Sequence, residues 1–346
     1  MSITIKDIAK LAGVSTSTVS LVISGKGYIS ETTRKKVQKV IDEYNYRPLR
    51  SARQLSANRT GNVGFIISDV HLSRSEAFYS RILLGAELEA RNHDEYILLS
   101  TSSLNIKIPD DLPRFMQGRD VDGVIVAGSV NSDLVKYLVQ VKMPTVLIDY
   151  QVPGIKVDSV IMDNRSGVRQ LVKHLYDQGC RKIGFLGGSN YHTSIQERFE
   201  GYRLEMNRLG LSDVAENKNY YYLVQEETTA DIGAQGIQRI LNNTEDLEAV
   251  ICVNDTTAAG CLQHLAQLGH SVPNGVAVVG FDDINYAAVT HPPLTSVHVP
   301  KTEMGVEAMK LLMERIADMD RLHQTRLVPV ELVVRESSQC NLRTSS

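Results

Sequence analysis

Two groups of side chains in this sequence have the types and spacing to do chemistry, and in both the chemistry is recognition. The first is a run of hydroxyls, Ser15, Thr16, Ser17 and Ser20, with Leu21 beside them. It lies in a 60-residue segment with eleven Lys/Arg against four Asp/Glu, a net +7. Hydroxyls on a basic background suit phosphate oxygens and base edges. The rest of the chain has 26 Lys/Arg against 36 Asp/Glu, a net −10, so only the head suits a polyanion. The second group is Asp69, Asp149, Asn190, Asn254, Asp255, Asp282 and Asp283, with Arg198. Carboxylates, amides and one guanidinium suit a polyhydroxylated ligand, which needs many donors and acceptors at fixed positions. Asp and Asn also cap helices, and for any one of these residues the two readings stand level.

Catalysis is poorly supported. Asp282 and Asp283 could be paired carboxylates for sugar chemistry, but adjacent residues at a strand end point apart. No nucleophile, phosphate loop or metal cluster accompanies them. Cys180, Cys252, Cys261 and Cys340 are scattered without a C-x-x-C pair, which predicts packed thiols with no disulfide framework, metal or cofactor. No apolar run approaches the roughly 18 residues of a membrane helix, and residues 1–7 lack the basic start and apolar stretch of a signal peptide. A cytoplasmic protein is expected.

The elements that position the first group are three short helices. Ile5, Ile8, Ala9 and Ala12 share one helical face, Thr4 and Asp7 form a capping box, and Gly13 ends the helix. Ser15 caps a second helix buried through Val19, Val22 and Ile23 and ending at Gly25. A third, from Glu31 to Tyr44, is capped by Ser30 and buried through Val37, Val40, Ile41 and Tyr44. Two helices around a short Gly-containing turn predict a helix-turn-helix, with the second helix exposing Thr16, Ser17, Ser20 and Leu21 to a major groove. A three-helix packing unit without a DNA role is the competing reading. After it, Pro48 opens a basic stretch, residues 49–57, suited to a short helix that is marginal alone or to a plain linker.

The second group is positioned by alternating strands and helices. Apolar runs at 63–67, 96–100, 123–127 and 145–149 make one strand series, and 183–187, 220–224, 249–253 and 276–281 a second. Helices are expected near 76–92, 131–141, 164–178, 194–209, 229–242, 255–268 and 301–317. This predicts two doubly wound parallel-sheet lobes, facing across a cleft at the carboxyl ends of their strands.

Residues 4–24 (TIKDIAKLAGVSTSTVSLVIS), continued by Arg34, Val37, Ile41, Tyr46, Pro48, Ala52, Arg53 and Leu55, resemble the N-terminus of the LacI/GalR family of transcriptional regulators. The resemblance extends over the body. It is carried there by residues 118–126 (GRDVDGVIV), 163–164 (DN), 198–202 (RFEGY), 254–255 (ND), 278–283 (VVGFDD), 292–296 (PPLTS) and 331–337 (ELVVRES). It implies an all-α helix-turn-helix head over 1–47, a hinge over 48–61 and a periplasmic-binding-protein-like α/β body over 62–340. Within that body, one lobe would be about 62–162 plus 293–322 and the other about 163–292 plus 323–340.

By the same resemblance, contacts to double-stranded operator DNA fall at Thr4, Ser15, Thr16, Ser17, Ser20, Leu21, Ser24, Arg53 and Leu55. Leu55 would be the minor-groove wedge. Effector contacts fall at Phe78, Tyr79, Asp149, Arg198, Asn254 and Asp282. The expected protein is a homodimeric repressor on a pseudo-palindromic operator, governed by a small sugar-like effector. Leu21 departs from a family position that is often polar and restricts that side chain to a thymine methyl. Leu49 stands where Asn is frequent, and residues 71–77 differ from the family's turn before Phe78. Residues 228–236 lack the aromatic that often stacks on a sugar, which keeps a protein corepressor open as an alternative. A plain solute-binding protein is opposed by the basic head.

Overall fold

The computed structural model describes residues 3–24, 27–46, 59–69, 77–189, 192–224 and 228–340. They form two compact units, divided between Gly61 and Asn62. The expected hinge helix over 49–57, with Arg53 and Leu55, lies outside the described residues, as does Asn190.

In the head, α1 (Ile5–Ala12), α2 (Thr16–Ser24) and α3 (Glu31–Glu43) pack around Ile8, Ala9, Ala12, Val19, Val22, Val37 and Tyr46. The capping box is formed: the Thr4 N–H donates to Asp7 Oδ2 at 2.9 Å, and the Asp7 N–H donates to Thr4 Oγ1 at 3.4 Å. Gly13 (φ 62°) closes α1 in the left-handed conformation that favours glycine. Ser15 Oγ accepts from the Thr18 N–H at 3.1 Å and starts α2. Tyr44, expected in the core, is exposed. Asn45 adopts φ 45° after α3, and the chain turns so that the Tyr46 N–H returns to the Ile41 carbonyl and the Tyr46 ring fills the core instead.

The body consists of two six-stranded sheets with helices on both faces. The first has the order β11-β5-β4-β3-β1-β2, built from β1 (Asn62–Ser68), β2 (Tyr96–Ser102), β3 (Gly123–Ala127), β4 (Thr145–Ile148), β5 (Asp158–Met162) and β11 (Thr325–Val328). All its pairs are parallel. The second has the order β12-β10-β9-β8-β6-β7. It is built from β6 (Ile183–Ser189), β7 (Tyr221–Val224), β8 (Ala249–Cys252), β9 (Ala277–Asp282), β10 (Thr295–His298) and β12 (Glu331–Val333), and only β10–β12 is antiparallel. Central strands such as β3 are buried at every position, as a parallel sheet covered on both faces requires.

Four strands per lobe were expected and six are present, and two lobe boundaries move. β10 belongs to the second sheet and β11 to the first. The chain therefore crosses after β5, between β10 and α12 (Lys301–Ala317), and between β11 and β12, rather than at 293 and 322. Arg315, buried in α12, anchors the last return. Its guanidinium bonds Asp158 Oδ2 at 2.8 Å and the carbonyls of Met319, Arg321 and Leu322.

Glycines allow the main helix pairs to touch backbone to backbone. A Cβ on Gly305 of α12 would lie 1.9 Å from the Ile82 carbonyl oxygen of α4 (Ala77–Asn92), and one on Gly85 of α4 would lie 1.9 Å from that of Thr302. The second lobe repeats the device with Gly233 and Gly260, between α10 (Ala230–Asn243) and α11 (Asp255–Gln267). Backbone cannot rotate away as a side chain can, so Gly305→Ala forces the helices apart. A loss of about 1–3 kcal/mol in denaturant unfolding is expected, and an unchanged midpoint would refute the close approach.

Candidate functional site

On α2 the hydrophobic stripe Val19 and Val22 faces the core and leaves Ser15, Thr16, Ser17, Ser20 and Leu21 exposed on the opposite side. Thr4 is exposed beside the start of α1, and Ser24 closes α2. The face offers hydroxyls beside a helix N-terminus, the groups suited to phosphate oxygens and base edges.

In the body, the six residues singled out in sequence, Phe78, Tyr79, Asp149, Arg198, Asn254 and Asp282, all line one cavity of about 80 Å³ between the lobes. Phe78 and Tyr79 come from the first turn of α4, and Asp149 from the turn after β4, where it takes φ 57°. Arg198 comes from α8 (Thr193–Arg208), Asn254 from the loop between β8 and α11, and Asp282 from the end of β9 at φ 101°. Backbone outliers at cavity-facing carboxylates are the kind of strain that a surrounding network must hold.

That network is dense. Arg198 Nε donates to Asn164 Oδ1 at 2.9 Å and Nη1 to the Val253 carbonyl at 2.6 Å. Nη2 reaches Met162 Sδ and Asp282 Oδ1, both at 3.2 Å. The guanidinium also lies 3.8 Å from the centroid of the Phe281 ring. Four of its five N–H groups are thus held by the protein, which fixes the fork rigidly at the cavity wall. Lys301 stands behind Asp282 and donates to its carbonyl and to those of Val299 and Asp283. Burial lowers its pKa, opposed by the carboxylates of Asp282, Asp255 and Asp283.

The remaining acids are accounted for differently. Asp255 is buried below the cavity, accepting from Ser296 Oγ at 2.5 Å and the Ile284 N–H at 2.8 Å, and desolvation together with Asp282 raises its pKa far above the usual carboxylate range. Asp283 turns away to Arg335 (2.7 Å) and His298 (3.0 Å). Asp69 is exposed at the end of β1 and does not line the cavity. Asn254 caps α11, its Oδ1 accepting from the Thr257 N–H at 2.9 Å, and the residue also lines the cavity.

Sequence reasoning missed His192, Ser194, Ile195, Thr228 and Val253, which also line the cavity. The signal for two of them was an ordinary helix start: His192 Nδ1 accepts from the Ser194 N–H at 3.3 Å at the N-terminus of α8. Burial depresses the His192 pKa, with Asp149 acting against the shift and Arg198 with it. A depressed folded-state pKa contributes stability that is present above the ordinary value of about 6.5 and lost as pH falls through the folded pKa. Thermal unfolding from pH 7.5 to 5 is therefore expected to show a steeper fall in wild type than in His192→Gln. Parallel curves would exclude the residue as a source of the slope.

A helix-turn-helix unit joined to a two-lobed α/β body with an interlobe cavity defines the class of ligand-responsive DNA-binding regulators. Family comparison agrees at both ends of the chain. Residues 4–49 match the model of bacterial regulatory proteins of the lacI family, and residues 172–338 match that of the periplasmic binding protein-like domain. The HTH-type transcriptional repressor PurR of Vibrio vulnificus is 31% identical over 339 residues, covering 96% of this chain and 98% of the relative. The ribose operon repressor of Haemophilus influenzae is 29% identical, with the same coverage. Among solved structures, the transcriptional regulator CelR–cellobiose complex superposes with a TM-score of 0.73 at 30% identity, covering 97% of this chain and 99% of that one. The lac repressor dimer bound to operator gives 0.77 at 24% identity, covering 98% and 99%, and shares the fold. This chain belongs to the lacI family of bacterial regulatory proteins.

Proposed function

We propose that the protein is a transcriptional repressor that binds a pseudo-palindromic operator in double-stranded DNA as a homodimer, controlled by a small sugar-like effector in the interlobe cavity. The observation that carries this reading is the coexistence, on one chain, of a hydroxyl-bearing recognition face and a buried polar cavity lined by every residue the family motifs pointed to. In this reading Thr4, Ser15, Thr16, Ser17, Ser20, Leu21 and Ser24 meet the duplex, and Arg53 and Leu55 of the hinge enter the minor groove. The cellobiose held by one relative and the ribose operon governed by another support a sugar-like effector.

A dimer is supported by exposed apolar side chains. Leu84 and Leu88 lie one helical turn apart on α4, with Tyr96 and Leu99 on the edge strand β2 of the same lobe. Tyr286 and Val289, on the 3₁₀ turn Asn285–Val289, are exposed on the second lobe. Exposed large apolar groups of this kind mark association surfaces.

Selection from random duplexes should return an inverted repeat, and failure to enrich any sequence would remove the operator from the account. In parallel, thermal shift against mono- and disaccharides, sugar phosphates, nucleosides and purines should identify the effector. A ligand at a hundred times its dissociation constant stabilises the body by about 2.7 kcal/mol. No shift from any compound would favour a protein corepressor over the cavity as the controlling input.

A further inference from the structure

In the first lobe, one crossover between consecutive parallel strands has no helix. α4 joins β1 to β2, α5 (Arg114–Gln117) joins β2 to β3 and α6 (Ser132–Gln140) joins β3 to β4, but residues 149–157 return from β4 to β5 without one. Parallel sheets are covered on both faces by such helices, so this strap leaves one face of β5 and β11 open. Alternation along the strands says which side chains occupy that face. Asp158 bonds Arg315 of α12, and Arg326 bonds Glu307 and Glu314 of the same helix. Ser159 and Thr325, which are register partners, therefore point the other way. There they border a cavity of about 910 Å³ between the strap and residues 319–325, within the roughly 300–1,000 Å³ of small-molecule sites. It shares no lining residue with the effector cavity.

The cavity wall carries a closed triangle of hydrogen bonds. Gln151 Nε2 donates to Ser159 Oγ at 3.0 Å and to Thr325 Oγ1 at 3.2 Å, and the two hydroxyls lie 3.0 Å apart. Three contacts need three protons. The amide NH₂ supplies two and one hydroxyl the third, whereas a reversed amide would leave only two protons for the three contacts, so the count fixes its orientation. One of the four protons is left over. Ser159 is buried and Thr325 exposed, and buried groups are satisfied first, which puts the spare O–H on Thr325. The Gln151 Oε1 acceptor is spent on none of these bonds. Charge around the triangle balances, Lys156 against Asp320, with Arg321 already bonded to Glu314. Ile155, Val157, Met319 and Leu322 add an apolar wall, and exposed Met319 and Leu322 are the kind of apolar group that marks a binding groove. We propose that this cavity is a second small-molecule site, taking a neutral ligand with an apolar body and an amide-like edge. The ligand C=O accepts from the Thr325 hydroxyl, and its N–H donates to Gln151 Oε1. An apolar molecule without that edge covers both groups and leaves them unpaired, and this cost is the source of selectivity.

Saturation-transfer NMR titrations on the full chain test this with two probes, benzamide and N,N-dimethylbenzamide. Both have the C=O and the apolar ring, and only benzamide has the N–H. Wild type should bind benzamide about tenfold more tightly, the scale of one hydrogen bond with its unpaired penalty. Gln151→Leu should bind the two amides alike. Thr325→Val should lower benzamide affinity about tenfold, while Thr325→Ser keeps the hydroxyl and should bind as wild type does. All three variants should melt within about 2 °C of wild type, since they change a polar wall and no core position. Absence of benzamide binding to wild type overturns the site. A preference for benzamide that survives in Gln151→Leu, or an affinity unchanged in Thr325→Val, overturns it as well, and the triangle then only fastens the strap to the sheet.

Discussion

Arg198→Met should cost the protein about 3–5 kcal/mol and abolish stabilisation by the effector. The residue is 5% exposed and carries the positive charge facing Asp282, while Asp149 and Asp255 add acids nearby. Methionine fills similar space but leaves the Asp282 carboxylate, Asn164 Oδ1 and the Val253 carbonyl without donors they now have. Removing one partner of a buried pair leaves an uncompensated charge, and that penalty exceeds what the pair contributed. In melting temperature the loss is roughly 6–20 °C for a body of this size. If uncompensated charge is the cause, Arg198→Met with Asp282→Asn should recover part of the stability that Arg198→Met alone loses. Lys301 still holds the Asp282 carbonyl in that double variant, so the strained turn itself should persist. A single variant within about 1 kcal/mol of wild type would show that the guanidinium is a passive wall.

How far this site could be read before folding depends on what each residue depends on. Arg198, Asn254 and Asp282 sit in local motifs, and the strands and helices carrying them have long apolar runs or clear helical periods. The helix expected at 164–178 forms as α7 (Asn164–Asp177), and the strand expected at 276–281 as Ala277–Asp282. Ser194 and His192 gave only the signal of a helix start, because their partners lie far away in sequence: Asp149 is 45 residues from Ser194 and belongs to the other lobe. Local periodicity carries no information about a bond across a cleft.

The same physics explains three of the four missed strands, the exception being the buried five-residue β5 (DSVIM). β10 (TSVH), β11 (TRLV) and β12 (ELV) are three or four residues long, with only one or two apolar residues each, and β11 and β12 lie at sheet edges. Short half-polar segments have no pattern that separates them from loops. Which sheet they join is decided by tertiary contacts such as the Arg315 anchor, which set the lobe crossings beyond the 293 and 322 that the resemblance implied. By contrast, Tyr44 was expected in the core, and one left-handed residue, Asn45, turns the chain so that Tyr46 is buried there instead.

The sharpest test of the head separates base reading from phosphate attraction. Thr16→Ala combined with Ser17→Ala should lower affinity for the selected operator by about 100-fold or more, each good base contact being worth roughly 1–3 kcal/mol of discrimination. Both side chains are exposed on the face of α2 opposite Val19 and Val22, so folding stability should change by no more than about 0.5 kcal/mol. Affinity for random duplex and its salt dependence should also hold, since every Lys and Arg remains and counterion release is set by charge. Val19→Ala should do the reverse: the side chain is fully buried in the head core, so the loss appears in stability first and in DNA binding only as the head unfolds. Lys10→Ala with Lys36→Ala gives a third variant to set beside these. If those exposed ammonium groups meet phosphates, affinity falls alike for operator and random duplex, and the salt slope becomes shallower by about one unit for each phosphate no longer neutralised. Were the Thr16/Ser17 pair to behave like the lysine pair, weakening specific and random duplex equally, α2 would act only through electrostatic attraction and the reading of sequence would have to lie elsewhere.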